Sequence, residues 1–402
     1  MKVIQINAVY GSGSTGRICA ELSEYMNKHN IENYVFYGSG RTEYKFAKRF
    51  NSDFDMKVHA LLSRVTGKQS YFSRIATHKM IREMNRIKPD VVHLHNLHGN
   101  YINLKMLLKY LAKKDIATVV TLHDCWFMTG KCTHYTMEKC YKWQTGCHNC
   151  TKLKYDNKSW FFDRTPKMWK DKKYLFEKIP CLGVIGVSDW ITNEGKKSIL
   201  KNAKIIKRIY NWIDTDVFCP KDSVSDKHFI PENKFTIITA SAGWNKNTDK
   251  FNDILKLSSL IDEDMQIIMI GGGLENEELP ENIIKIGYVN DINELAKQYS
   301  CADVFVHVSR EDTFGKVVAE AIACGIPAVV YNSTGLPELV QSGCGYVVEC
   351  GDIDAVYEKI KLVRDNTKSA YKQNCVDFVR QKFEKNTLIN ETVELYKDLL
   401  KG

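Results

Sequence analysis

The sequence predicts an α/β protein made of two doubly wound domains. Two observations carry this expectation. Short β-prone apolar runs alternate with helical patterns from the first residues onward, and after Asp214 the alternation begins afresh. A chain of 402 residues is long enough for two cores of common domain size.

The first strand is expected over Val3–Asn7. It breaks at Gly11-Ser12-Gly13-Ser14-Thr15-Gly16 and passes into a helical pattern from Arg17 to Lys28, the strand, glycine loop and helix that open a parallel sheet. Further strands are expected at Val35–Tyr37, Pro89–His95, Ala117–His123, Leu182–Ser188 and Ile205–Ile206. The second half continues with strands at Phe235–Ala240, Gln266–Ile270, Ile283–Ile286, Val304–Val308, Ala328–Tyr331 and Gly345–Val348. A helix is expected over Phe251–Ile261 and a closing helix over Thr387–Leu400, and the polar, turn-rich stretch Pro220–Lys234 reads as a linker. The domains so drawn are 1–212, with a cysteine-rich insertion at 125–150, then 213–385, then a helix at 386–402 that packs back on the first domain.

With 44% hydrophobic and 26% charged residues the composition is that of an ordinary soluble globular protein. No apolar run approaches the ~20 residues that span a bilayer. The opening MKVIQINAVYGSG has too short an apolar stretch for a signal peptide, so a cytoplasmic location is expected. The net charge of +9 is unevenly placed: Arg64, Lys68, Arg74, Lys79, Arg82, Arg86 and Lys88 face only Glu83. A second basic stretch runs from Tyr101 to Lys114. Both read either as amphipathic helices with solvated lysine faces or as contacts to an anionic membrane surface, on its inner face. No nucleic-acid-binding motif accompanies the charge, so a nucleic-acid partner is not expected.

The segment with most chemistry is Ser309–Pro327, SREDTFGKVVAEAIACGIP. Asp312 and Glu320 stand eight positions apart, a little over two helical turns. With a helix beginning near Gly315, Asp312 lies in the loop before it and Glu320 points inward. Free N–H groups at such a helix start attract phosphate, and carboxylates accept hydrogen bonds from sugar hydroxyls. The combination suits a nucleotide-sugar. Ligands in doubly wound domains sit at the carboxyl ends of strands, which draws attention to Gly13, Ser14 and Gly16 after the first strand and to His123-Asp124 after another. His93 and His95 alternate with Leu94 and share one strand face, reading as polar strand-end residues rather than metal ligands.

The acidic block resembles the Glu-x7-Glu pair, with its internal Phe-Gly, of the retaining glycosyltransferases of family 4. The likeness extends through GSGSTGRI, DVVHLHN, TLHDCWFMTG, VIGVSDWI and IYNWIDTDVF, in that order along nearly the whole chain. It is closest to bacterial polysaccharide-assembly transferases with a cysteine-rich insertion after His-Asp-Cys-Trp. The resemblance implies the GT-B architecture, with two Rossmann-like domains facing across a cleft, the first on the acceptor side and the second holding the nucleotide-sugar. It implies transfer from a nucleoside-diphosphate sugar, UDP-linked in preference, to a glycan or lipid-linked acceptor, with no cofactor required for catalysis.

By the same resemblance His123 lies close to the transferred sugar, and Asp312 with the Thr313, Phe314, Gly315 and Lys316 segment holds sugar and phosphates. Glu320 holds the ribose. Gly272 and its neighbours approach the donor, and Tyr288 and Val289 flank the base. Gly13, Ser14 and Gly16 lie near the diphosphate. Two departures stand out. Asp312 replaces the family's first glutamate. The phosphate-binding arginine expected after the second domain's first strand is absent from SAGWNKNTDK, leaving Lys246 and Lys250. A non-catalytic partner subunit and a nucleotide-sugar epimerase therefore stay open as alternatives.

The insertion CWFMTGKCTHYTMEKCYKWQTGCHNC places Cys132 and Cys140 before a Cys147-x2-Cys150 knuckle. Four thiolates at this spacing suit a structural, tetrahedral Zn²⁺ site, the alternative being reduced, buried cysteines.

Overall fold

The computed structural model describes residues 1–221 and 234–401. The linker expected over Pro220–Lys234 lies, from 222 to 233, outside the described residues. The chain divides into one unit of Met1–Tyr210 joined by the segment from Leu388 onward, and a second of Asn211–Thr387.

The first unit contains β1 (Lys2–Val9), α1 (Gly13–Lys28), β2 (Glu32–Ser39), β3 (Ala47–Arg49), α2 (Asp53–Thr66), α3 (Arg74–Ile87), β4 (Val91–Leu94), α4 (Leu104–Lys114), β5 (Ala117–Leu122), α5 (Thr165–Phe176), β6 (Leu182–Gly186), α6 (Asp189–Lys197) and β7 (Ile205–Arg208). Its seven strands form a parallel sheet in the order β3-β2-β1-β4-β5-β6-β7. The second unit contains β8 (Phe235–Gly243), α7 (Asp249–Ser258), β9 (Met265–Gly272), β10 (Ile283–Ile286), α8 (Ile292–Cys301), β11 (Val304–His307), α9 (Lys316–Ala323), β12 (Ala328–Tyr331), β13 (Gly345–Val348), α10 (Ile353–Asn366) and α11 (Ser369–Phe383). Its six parallel strands run β10-β9-β8-β11-β12-β13. The chain ends in α12 (Lys385–Lys401).

Both sheets reverse their winding once, between β1 and β4 and between β8 and β11. In doubly wound sheets that reversal opens a crevice at the carboxyl ends of the strands. The central strands are buried along their length: Val91, Val92, His93 and Leu94 of β4 and all six residues of β5 are inaccessible. Continuous burial of this kind is the mark of a parallel strand covered on both faces.

Several boundaries differ from the sequence reading. Pro89 has no N–H to give to a ladder, and β4 begins after it. Strand β3 was not anticipated; three residues are too few to show alternation. Helix α1 begins at Gly13 rather than Arg17, because Gly11 and Gly13, at φ of +71° and +63°, make the turn and Ser12 becomes the N-cap. The glycine motif is thus largely the helix's first turn. In the basic stretch, Ser52 and Asp55 form a reciprocal capping box at the start of α2.

The last helix packs in the first unit from Leu388 onward. A Cβ on Gly183 of β6 would come within 2.7 Å of Leu399 Cδ1, so any larger residue there would displace the Leu399 side chain of α12. Tyr396 of α12 is fully buried, and its hydroxyl lies 2.6 Å from His93 Nδ1 on β4. His93 Nε2 lies 2.6 Å from Thr121 Oγ1, which satisfies both ring nitrogens. Tyr396→Phe leaves a buried imidazole nitrogen without a partner. It is expected to cost about 1–3 kcal/mol, read as a lower urea midpoint at unchanged slope.

Candidate functional site

In the second unit, the residues singled out from sequence gather at the carboxyl ends of β8, β9 and β11. Asp312 follows β11, and its carboxylate Oδ2 lies 2.8 Å from Nε2 of His307, the strand's last residue. His307 is buried and its Nδ1 has no partner, so the ring proton belongs on Nε2, where it donates to the carboxylate. The backbone of Asp312 is held as well. Its N–H donates to Thr334 Oγ1 at 3.0 Å, and its carbonyl accepts from Thr334 Oγ1 and from Gly335 N–H at 2.6 and 3.1 Å. A carboxylate so anchored keeps 35% of its side chain exposed.

Gly315 then turns the chain into α9 with φ of +82°, and a Cβ there would meet Leu336 at 2.6 Å. Phe314 is buried against Phe383 with ring centroids 5.4 Å apart. Glu320 is wholly buried on α9, and Lys316 and Thr313 are nearly so. Lys316 is therefore not the solvated first-turn residue its position suggests.

The structure separates the two candidate lysines. Lys250 is largely buried: its Nζ donates to Ser241 Oγ at 2.7 Å and lies 4.6 Å from the Trp244 ring centroid. Burial pulls its pKa below the ordinary lysine value, and the charge of Asp312 works in the opposite direction. Lys250 thus belongs to the Asp312 neighbourhood. Lys246 is exposed and pairs with Glu277 at 3.5 Å. At the end of β9, a Cβ on Gly271 would sit 1.9 Å from the Ser241 carbonyl, and one on Gly273 2.4 Å from that of Trp244. Gly271 and Gly273 therefore allow the ends of β8 and β9 to close together, while a Cβ on Gly272 between them would meet only ordinary contacts, the nearest at 3.7 Å. Tyr288 and Val289 follow edge strand β10, with Tyr288 half exposed.

In the first unit the β1 and β4 ends meet at the reversal point. Asn7 accepts from Asn96 N–H at 3.1 Å, and Gly11 N–H donates to Gly16 carbonyl at 3.0 Å. Gly13 and Ser14 stand exposed at the start of α1. Beside them is a stack of imidazoles. The rings of His93 and His95 lie 4.0 Å apart, and His95 Nδ1 lies 3.0 Å from His123 Nε2. His98 Nε2 meets Asp124 Oδ2 at 2.8 Å. Burial opposes charge on both members of that pair. Their mutual attraction prevails, raising His98 and lowering Asp124, so each favours the charged form of the other.

His95 is buried, and burial, with the neighbouring His93 and His123, holds its pKa well below the ordinary value. The ring is neutral and carries one proton. Its Nε2 is buried without a partner, so the proton belongs on Nδ1, where it donates to His123 Nε2. His123 must then carry its own proton on Nδ1. His95 and His93, read from sequence as polar strand-end residues, are in fact interior; His95 orients His123.

Hydrogen bonds from buried side chains hold the cysteine loop. Cys132, Cys140, Cys147 and Cys150 share one neighbourhood, and Cys147 Sγ accepts from Gly130 N–H at 3.2 Å. Among the described residues, however, no group of three or more His, Cys, Asp or Glu side chains is placed to hold a metal ion. Buried Lys172 Nζ donates to the Trp126 and Thr129 carbonyls at 2.5 and 3.1 Å, Trp126 Nε1 to Gln69 at 2.7 Å, and Trp169 Nε1 to the Trp143 carbonyl at 2.7 Å.

Two Rossmann-type units in one chain, each with polar chemistry at its strand ends, define the GT-B class of glycosyltransferases. The family model described as Glycosyltransferase Family 4 matches residues 15–217, and that described as Glycosyl transferases group 1 matches 220–380. The chain belongs to glycosyltransferase family 4. WcaC of Escherichia coli K12, named as a colanic acid biosynthesis glycosyl transferase, is 22% identical over 365 residues, covering 87% of each chain. Sucrose-phosphate synthase of Thermosynechococcus elongatus superposes with a TM-score of 0.74 at 14% identity over the whole of both chains. HepE of Anabaena, solved with UDP, gives 0.67 at 16% identity over 99% of this chain and all of its own.

The His95–His123 contact is open to direct measurement. Long-range ¹H–¹⁵N spectra of histidine-labelled protein should show His123 as the Nδ1–H tautomer. His95→Leu should release it to the commoner Nε2–H form, while His95→Asn, whose amide reaches the place of Nδ1, should restore the parent pattern.

Proposed function

We propose that this chain is a retaining glycosyltransferase that moves a sugar from a nucleoside-diphosphate sugar, UDP-linked in preference, to a glycan or lipid-linked glycan in surface polysaccharide assembly. The observation that carries the reading is the Asp312 carboxylate, fixed by His307 beside buried Lys250 at the start of α9. Three groups with distinct tasks converge there. Asp312 accepts hydrogen bonds from hydroxyls of the donor sugar. Lys250 and the N–H groups at the start of α9 face the diphosphate. Gly271–Gly273 let the ligand approach the backbone.

As the bond from the sugar's anomeric carbon to the phosphate oxygen breaks, negative charge grows on the leaving diphosphate. Groups already aimed there act most strongly in the transition state. The acceptor hydroxyl forms the new bond on the same face, and its proton passes to the departing phosphate oxygen, so no separate protein base is assigned. Lys250 takes the place of the arginine missing from SAGWNKNTDK. The donor class is supported by the UDP bound to HepE and the polysaccharide setting by the name of WcaC. His123, with its proton held on Nδ1, serves as a hydrogen-bond donor on the acceptor side.

The test compares the two lysines in nucleotide release from a UDP-sugar. Lys250→Met should lower kcat about 10²–10³-fold, the scale for losing one donor to a developing anion. Lys246→Met should stay within a few-fold of the parent. Equal effects from the two would remove Lys250 from its assigned role. No nucleotide release by the parent with any UDP-, GDP- or ADP-sugar would favour the non-catalytic partner reading, and release of an epimerised sugar without acceptor the epimerase.

A further inference from the structure

We propose that a polar cavity between the carboxyl half of α2 and the 155–162 loop binds the phosphate headgroup of an anionic bilayer phospholipid. The site lies wholly within the first unit. The cavity has a volume of about 240 Å³. That is below the ~300–1,000 Å³ of a site for a drug-sized ligand and suits a headgroup.

Its lining offers Arg64 and Lys158 above the polar side chains of Ser63, Gln69, Asn100 and Asn157, with no carboxylate among the lining residues. Among the described residues neither cation has an ion-pair partner. The floor is fixed before any ligand arrives. Gln69 Nε2 donates to the His98 carbonyl at 3.0 Å, and its Oε1 accepts from Trp126 Nε1 at 2.7 Å. Asn157 Nδ2 donates to the Lys131 carbonyl at 2.8 Å. Asn100 and Asn157 both hold left-handed backbone, at φ of 58° and 47°, a conformation kept where surroundings enforce it.

What surrounds the cavity decides the kind of ligand. Tyr155, Trp160, Phe161, Phe162 and, on α2, Leu61 are all exposed, at 78%, 45%, 67%, 48% and 50%. The loop is fastened to α2: Trp160 N–H donates to the Arg64 carbonyl at 2.7 Å, and the Phe162 carbonyl and Ser159 hydroxyl occupy the space a Cβ on Gly67 would need. Phe54 and Val58 extend the apolar face along α2. Aromatic side chains around a cationic polar cavity match a bilayer interface, where the rings enter the acyl boundary and the cations meet phosphate. A protein partner for so large an apolar patch would not call for two unpaired cations over a polar floor.

The proposal rests on the glycosyltransferase reading only for its purpose, which is to hold the enzyme where lipid-linked acceptors lie. It is tested by co-sedimentation of the full chain with vesicles of phosphatidylcholine alone, with added phosphatidylglycerol, or with an equal charge of long-chain polyprenyl phosphate. Phosphatidylglycerol vesicles should bind at least about tenfold more tightly than phosphatidylcholine, and less so in high salt. Arg64→Glu/Lys158→Glu should abolish the preference, and Trp160→Ser/Phe161→Ser should weaken binding to every vesicle. All substituted residues are exposed, and melting curves matching the parent verify folding. Equal binding to neutral and phosphatidylglycerol vesicles, an unaffected charge variant, or binding to polyprenyl phosphate alone would overturn the assignment. Nucleotide release from a panel of UDP-, GDP- and ADP-sugars, followed in the same samples, separates the two readings. Binding without release sinks the enzyme assignment and leaves the site standing; release without binding does the reverse.

Discussion

The hydrogen bond from His307 Nε2 to Asp312 Oδ2 fixes the group on which the proposed chemistry of the second unit depends. An aspartate in a loop would sample many rotamers, and its shorter arm would serve poorly where the family has glutamate. Here a buried strand residue, with no other partner for its proton, clamps one oxygen, while Thr334 clamps the backbone on both sides. The carboxylate is held before a ligand arrives, so little ordering remains at binding.

The same economy governs the first unit. Its central strands are buried on both faces, so polar groups concentrate where the strands end. A line runs from Tyr396 through His93 and the stacked ring of His95 to His123. The burial that keeps the inner two histidines neutral also decides which nitrogen of His123 carries its proton.

Much of the fold was legible because parallel strands buried on both faces are written as unbroken apolar runs, as in VVHL and ATVVTL. The acidic block and the glycine loops were legible because glycine and helix-start chemistry are local. What depends on burial was not. Lys246 and Lys250 stand in one polar stretch of sequence, and only the packing of Lys250 against Trp244 distinguishes them. His307 reads as an ordinary strand residue. The Cys-x2-Cys spacing is local, but how the whole insertion packs around it depends on buried lysine and tryptophan hydrogen bonds that no spacing shows. The run WFF at 160–162 has the composition of a core segment and lies on the surface.

The donor site of the second unit turns on what Asp312 recognises. Calorimetric titration of the parent and of Asp312→Ala, each with UDP and with the UDP-sugar, isolates the sugar's share of binding. Both proteins should bind UDP with equal affinity, and Asp312→Ala should lose the added affinity that the sugar brings. An equal loss for UDP and UDP-sugar, or no change for either, would contradict this role for Asp312.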